Sequence, residues 1–330
     1  MKALSACCVQ QQGSQFSSNH AANNMKIIFV RAGLAFVLVA ASLTAHIESA
    51  VAQITSVGPS LSPVDLVRKA VQNEVKSNHS GPNFMFREEK QGPDGSQTKL
   101  LVETHNAMAG MLIAANGHPL TAEQRQAEDS RLEQLIKNPD DLKKKEKHEK
   151  EDAERTERIM RAFPTAFLFQ ADGIAVGEEG LGAPGDKLVR LKFRPNPNYS
   201  PPSHVEQILT GLEGYMLIDS KEYRIAKIDG NLVKEVGFGW GILGHLNRGG
   251  HFIVQQGDMG EGHWEVTRMD LSFTGKALFF KTLNITSKEV YSDFRPAPRD
   301  LTFAQGVELL KKQQALLAQN EQAENERRKQ

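Results

Sequence analysis

Residues 237 to 252 read GFGWGILGHLNRGGHF and combine six glycines with two histidines, residue types that can cradle phosphates or bind metal ions. Gly239, Gly241 and Gly244 match the G-x-G-x-x-G pattern of dinucleotide-binding loops, which requires a helix opening directly from the loop within a β-α-β unit. Here ILGHLNRGG leaves room for one helical turn at most before HFIVQQ begins another strand. The stretch therefore does not predict nucleotide binding.

A metal site is the second chemistry that this region suggests, because imidazole nitrogens are good ligands for zinc and copper. The candidates are His245, His251 and His263, whose spacings match no common ligand template. Asp258 or Glu261 would be needed to complete such a site. A metal-dependent hydrolase built on these histidines is kept as a remote alternative.

The third interpretation of the glycine-rich stretch is structural. Glycines at strand ends permit bulges and sharp coiling of a curved sheet. The common catalytic patterns G-x-S-x-G and H-E-x-x-H are absent from the sequence. Asp219, in YMLIDSKEY, is predicted to be a turn residue and not a catalytic acid. The sequence predicts a protein without enzymatic activity, without a cofactor and without a bound metal.

Composition narrows the class of protein further. The chain has 330 residues, with 40 basic and 40 acidic side chains and a sequence pI of about 7.2. This balance lacks the basic excess of nucleic-acid-binding proteins, so no nucleic-acid partner is expected. With 39% hydrophobic and 24% charged residues the composition is that of a globular protein.

A signal peptide is predicted over residues 25–52. Lys26 and Arg31 supply its positive start, residues 32–45 are apolar, and Ala50-Val51-Ala52 offers a cleavage site before Gln53. The apolar run is shorter than the roughly 20 residues that a membrane-spanning helix needs. We expect export with cleavage, to the periplasm if the host has an outer membrane, and no stable membrane anchor afterwards.

Residues 1–24 are polar, and we expect them to be a disordered extension upstream of a true start at Met25. Both cysteines of the chain, Cys7 and Cys8, lie there. The exported chain would then contain no cysteine. It would have to fold without a disulfide or a thiolate metal site.

The elements after residue 61 follow from two periodicities. Ser62 can cap a helix from about 62 to 78, along which Val64, Val67, Val71 and Val75 form one apolar stripe. Period-two alternation then predicts a hairpin, a third strand ending at Asn116-Gly117, and a long antiparallel meander from residue 166 onward, which is interrupted by a short helix in SHVEQILTGL.

Residues 121–163, here called the helical insertion, are different in character. Two helices are predicted, and positions 143–158 read KKKEKHEKEDAERTER, without a large apolar residue. Such a helix is expected to be solvated or to dock a protein partner. We place the helical insertion within a single domain, 62–300, followed by an amphipathic C-terminal helix and charged tail over 301–330.

These elements predict an α+β fold in which a strongly curved antiparallel sheet, an incomplete β-barrel, packs with a few helices. The sheet carries more large apolar side chains than short helices would cover. Whether the helices fill its concave face or leave room for an apolar ligand stays open at this stage. The residues expected to line that face are Phe193, Met216, Ile218, Trp240, Ile253, Trp264, Phe273 and Phe279.

The order of elements, and GYMLIDSKEYRIAKIDGNL at 214–232 in particular, resembles the periplasmic lipoprotein-carrier superfamily, the LolA, LolB and RseB type of half-barrel. More broadly, the chain resembles exported bacterial proteins of the outer-membrane lipoprotein-sorting type. The resemblance covers roughly 62–119 and 164–294, but the helical insertion and the C-terminal helix are not typical of the carriers. It implies a hydrophobic concavity that holds acyl chains or a lipidated partner. No site residue is carried over from it.

The function expected from the sequence is therefore non-catalytic binding of a lipid or a lipoprotein acyl chain in the cell envelope. The alternative is an interaction or sensor protein with a fully packed sheet, in which the helical insertion docks a partner.

Overall fold

Alternating apolar and polar residues, separated by short turns, build one large antiparallel sheet. The computed structural model describes residues 61–77, 82–238, 244–277 and 281–328, so the predicted signal peptide and the segment before it lie outside the described residues. The strands are β1 (Asn83–Gly92), β2 (Gly95–Val102), β3 (Ala109–Ala115), β4 (His118–Pro119), β5 (Phe167–Val176), β6 (Lys187–Pro195), β7 (Leu212–Asp219), β8 (Ile225–Leu232), β9 (Val236–Phe238), β10 (Gly244–Leu246), β11 (His251–Asp258), β12 (Trp264–Ala277) and β13 (Lys281–Ala297).

The strand order shows how the chain wraps. Neighbours run β4-β3-β2-β1-β13-β12-β11-β8-β7-β6-β5, and β10 pairs with both β12 and β9. The sheet is curved and not closed, which confirms the predicted α+β class with an open antiparallel sheet. The main path of strands ends at β3 with the short β4 on one side and at β5 on the other.

Two local features permit the tight turns and the curvature. Asn116 and Gly117 both have positive φ, 52° and 74°, which suits the two-residue turn between β3 and β4. Gly214 on β7 lies opposite Gly230 on β8. A Cβ on Gly214 would stand 1.9 Å from the carbonyl oxygen of Asp229, so only glycine allows these strands to approach so closely.

Within the described residues, four α-helices pack on the sheet, and the first three begin at capping residues. Ser62 accepts a hydrogen bond from the Asp65 amide before the first helix, Thr121 and Gln124 form a capping box before the second, and Asn138 caps the third. The predicted helix in SHVEQILTGL is a 3₁₀ helix, Glu206–Gly211. The α-helices are α1 (Pro63–Ser77), α2 (Ala122–Lys137), α3 (Pro139–Ala166) and α4 (Phe303–Arg328).

The helices cover both faces of the sheet. The inner face, defined here as the face on which α1 lies, packs against α1 and the C-terminal end of α3 in the largest apolar cluster. On the outer face, α2 and α4 cover β1 to β3 in a second cluster around Leu132 and Val307. In the described part of the chain, no helix is both long and apolar enough to cross a membrane.

The helical insertion has a structural task that its sequence did not reveal. Charged side chains of α2 and α3 reach the backbone of the edge strand β3 and the residue before it. Glu149 accepts from the Met108 amide at 2.9 Å, Arg131 donates to the Gly110 carbonyl at 2.7 Å, and Glu128 accepts from the Leu112 amide at 2.8 Å. Part of α3 is therefore not solvated. It helps to cover a sheet edge that would otherwise offer unpaired polar groups.

Candidate functional site

The inner face of the sheet is the most extensive apolar surface in the described residues, and α1 fills much of it. The helix buries Leu66, Val67, Val71 and Val75 against the strands. Its contacts run to β5, β7 and β8 and to α3. The strands beneath α1 contribute aliphatic and aromatic side chains to the same cluster, so most of the helix lies on an apolar surface.

Four of the predicted lining residues lie in this cluster. Phe193 on β6, Met216 and Ile218 on β7, and Phe273 on β12 are all buried, with at most 8% of their surface exposed. Their side chains pack within this cluster, and Phe193 also lines the depression over β5 to β7 that is described below. Their role in ligand binding therefore stays a prediction, and it depends on whether the helices above them can move.

Two other predicted lining residues, Trp264 and Ile253, do not join this cluster. Trp264, at the start of β12, packs with Leu188 and Leu217 in a separate cluster. Ile253 stands between Phe252 and Val254, which do pack on the inner cluster, so strand alternation turns Ile253 toward the outer face. Trp240 and Phe279 lie outside the described residues.

A buried polar group anchors α1 at the end of this apolar face. The carboxylate of Glu74 accepts from Arg224 Nε at 2.9 Å and from Arg224 Nη2 at 3.0 Å, a two-point guanidinium–carboxylate pair. It also accepts from the Ile225 amide at 2.8 Å and from Gln256 Nε2 at 3.4 Å. Glu74 is 2% exposed and Arg224 6%, so the ion pair is almost fully removed from water.

The sequence analysis did not single out Glu74, although the position of this residue on the apolar stripe of α1 could have identified it. Positions 67, 70, 71, 74 and 75 form the buried stripe of α1, and Glu74 is the one charged residue among them. A carboxylate at an apolar stripe position needs a buried partner, because an unpaired charge in the core is strongly unfavourable. The partner itself, Arg224, lies 150 positions away and could not be inferred from spacing.

The hairpin between β7 and β8 makes further polar contacts near the Glu74–Arg224 ion pair. Asp219, predicted as a turn residue, is the last residue of β7; it is fully buried, and its carboxylate accepts from the amides of Lys221 and Glu222 in the turn that follows. Asn73 of α1 donates to the carbonyls of Glu222 and Tyr223. The hairpin therefore holds the C-terminal half of α1 by polar contacts from several directions.

A second buried polar group lies on β1, β2 and β13. Lys90 and Glu289 form an ion pair at 3.0 Å with both side chains buried, and Ser287 donates to Glu289 at 2.9 Å. Tyr291 also donates to Glu289, and burial together with that carboxylate raises the pKa of the Tyr291 phenol. Burial, followed by the nearby charges of Lys90 and Arg131, lowers the pKa of Lys99 to about 8.

The three histidines of the alternative metal site are not brought together. His251 is the first residue of β11 and its ring bonds to Asp229 at 3.0 Å, whereas His263 lies beyond the opposite end of that strand. His245 lies on β10, 4.0 Å from Glu235. Within the described residues, no group of three or more metal-ligating side chains is found.

Two of the depressions that open to solvent in the described part of the chain can be placed on the fold, and neither is lined by α1. One, of about 570 Å³, lies over β5 to β7, where the Arg190 guanidinium stacks on the Tyr215 ring at 3.9 Å. The other, of about 380 Å³, lies beside the start of α4. Over β5, β7 and β8, the strands that α1 contacts, the inner face is covered by α1 itself.

Comparison with known proteins gives a match among the solved structures. The chain is similar to the crystal structure of a DUF1329 family protein from Desulfovibrio piger, with 9% sequence identity and a TM-score of 0.23. The match covers 75% of this chain and 97% of that chain. No protein-family model matches the chain, and no curated protein is significantly similar to it.

Proposed function

We propose that the protein is a non-catalytic, exported binding protein that holds a lipid or a lipoprotein acyl chain on the inner face of its sheet, in the place that α1 occupies. One observation carries the proposal. The apolar inner face is covered by a helix and not by a further strand, so the cover can leave without breaking the sheet.

The attachment of α1 supports this mobility. Among the described residues, the helix shares no backbone–backbone hydrogen bond with a strand; its polar contacts run through the side chains of Asn73 and Glu74. It packs on β5, β7 and β8, whereas the chain continues from α1 into β1 in the other half of the sheet. Displacement of α1 would therefore leave every strand pair intact.

The free energy gained by burying the apolar side chains of α1 is similar to that gained by burying an acyl chain in their place. Burial of four aliphatic side chains on α1 contributes roughly 6–12 kcal/mol, taking about 1.5–3 kcal/mol for each. An acyl chain of about 15 methylenes buried in the same place contributes on the order of 12 kcal/mol. One acyl chain can therefore replace the helix without a large net change in buried apolar surface.

Native mass spectrometry of the protein, exported and purified without detergent, tests the proposal together with lipid extraction of the same sample. We expect adducts at the mass of a lipid or fatty acyl compound. A mass that stays free of adducts, even after incubation with bacterial lipid vesicles, would show that α1 is a permanent part of the core.

A matched pair of variants sharpens the test. Val67→Ala loosens α1, whereas Val307→Ala makes the same change on α4, which packs on the outer face; both valines are fully buried. Similar losses of stability are expected from both. Only Val67→Ala should raise the fraction of protein that carries lipid, and an equal rise in both variants would contradict a site beneath α1.

A further inference from the structure

The sheet carries a complete binding site for a carboxylate, and a side chain of α1 fills it. Every donor to Glu74 belongs to the sheet or the hairpin that feeds it: the Arg224 guanidinium, the Ile225 amide and the Gln256 side chain. Each carboxylate oxygen receives two hydrogen bonds. When α1 leaves, these donors stay together because β8 and β11 pair directly with each other.

The layout of α1 matches that of an amphiphile with a small anionic head. The aliphatic stripe from Val67 to Val75 is about 12 Å long at 1.5 Å per residue. The acyl region of one lipid leaflet is about 15 Å deep, half of the hydrocarbon core of a bilayer. Glu74 places a carboxylate at one end of that stripe, as a fatty acid places its carboxylate at one end of the chain.

We infer that the ligand that displaces α1 is a long-chain carboxylate, whose carboxylate replaces that of Glu74 on Arg224, Ile225 and Gln256. This inference rests on the proposed function. A neutral head group would leave Arg224 without a counter-ion in a place almost closed to water, which is strongly unfavourable. The ligand's own charge removes that penalty.

The geometry favours a carboxylate over a phosphate diester. The four donors satisfy two oxygens, and the guanidinium presents its two N–H groups side by side, as a planar carboxylate requires. A phosphate diester has further oxygens and a second substituent, for which these donors offer no partners. Glu74 thus acts as an internal competitor for the ligand's head group.

Binding of hexadecanoic acid and of hexadecanol to the full chain tests this inference. The two probes have the same tail and differ in the charge of the head. We expect the wild type to prefer the acid by about tenfold or more, since a hydrogen bond to a charged group is worth that much. Glu74→Gln should bind the acid about tenfold more tightly than the wild type, because a neutral amide competes less well for Arg224.

The double variant Glu74→Gln/Arg224→Met should lose the preference for the acid while still binding the alcohol. Glu222→Gln, on the neighbouring hairpin and outside the carboxylate site, serves as the control and should behave as the wild type. Circular dichroism establishes that each variant is folded. The preference of the wild type for the acid over the alcohol can be measured without any variant, so the inference can be tested even if Glu74→Gln fails to fold.

Two negative outcomes have different meanings. Equal affinity of the wild type for acid and alcohol would overturn the carboxylate site and leave the proposed function standing. If neither probe binds to the wild type or to any folded variant, the proposed function fails as well.

Discussion

Removal of the Glu149 carboxylate should destabilise the protein, although Glu149 lies in the most highly charged part of the sequence. Its side chain accepts from the Met108 amide at 2.9 Å and pairs with Lys145 at 2.5 Å, and it is buried. Glu149→Ala removes a charge-assisted hydrogen bond and leaves a backbone donor unsatisfied next to the sheet edge. Hydrogen bonds to charged groups are worth about 1.5–3 kcal/mol, so we expect a loss of about 2–3 kcal/mol.

Thermal unfolding followed by circular dichroism measures this loss. For a domain of this size each kcal/mol lowers Tm by about 2–4 °C, so a decrease of roughly 4–12 °C is expected. Glu151→Ala is the matched control on the same helix. Glu151 is more exposed, and its ion pair with Lys147 is 3.8 Å long, so its removal should change stability by less than about 0.5 kcal/mol.

Hydrogen exchange makes the assay specific to the sheet edge. In Glu149→Ala the amide of Met108 should exchange faster, while the amides of β7 keep the protection of the wild type. Equal Tm values for Glu149→Ala and Glu151→Ala, with unchanged exchange at Met108, would refute the reasoning. The helical insertion would then be a solvated helix pair with no role at the edge.

Three further outcomes follow from the structure. Ile218→Asp should unfold the protein and not merely prevent ligand binding, because Ile218 is fully buried among packed side chains; a folded variant in urea titration would contradict this. Gly214→Ala should lower Tm far more than Gly92→Ala, since the new Cβ meets a backbone oxygen at 1.9 Å in the first case and at 3.7 Å in the second; similar Tm values would show that β7 and β8 can separate without loss. Lys99 has its pKa lowered in the folded state, so the unfolded chain binds more protons between about pH 8 and 10.5, and stability should rise with pH across that range; urea unfolding should show this rise in the wild type and a smaller one in Lys99→Met.

The parts of this fold that the sequence predicts are those encoded by local pattern. The valine stripe and Ser62 placed α1 to within one residue of its observed bounds, and Asn116-Gly117 placed the turn after β3. Alternation also predicted the antiparallel class of the sheet. In each case, the deciding residues lie within a few positions of one another.

What the sequence could not predict depends on partners that are distant along the chain. From the sequence, Glu149 was predicted to lie on a solvated helix. Its partner, the Met108 amide, precedes it by 41 positions, and a backbone amide has no residue type by which the sequence could reveal it. Trp264 was predicted to lie on the inner face because of its position in a strand. The register shift between Gln255 and Gln256, opposite the start of β12, interrupts simple alternation there, so the face of Trp264 could not be read from its position.

The two ends of the open sheet differ in how their edge strands are covered. At one end β3 is covered by charged side chains of α2 and α3, and that edge is closed. At the other end β5 contains no lysine, arginine or internal proline, and it exposes Ile174 by 67% and Val176 by 64%. The apolar surface therefore continues past α1 to an uncovered edge. If α1 is the movable cover, the β5 side is where an acyl chain can slide beneath it, since Ile174 and Val176 are exposed there and the one charged side chain of β5, Asp172, is paired with Arg190 and Lys192.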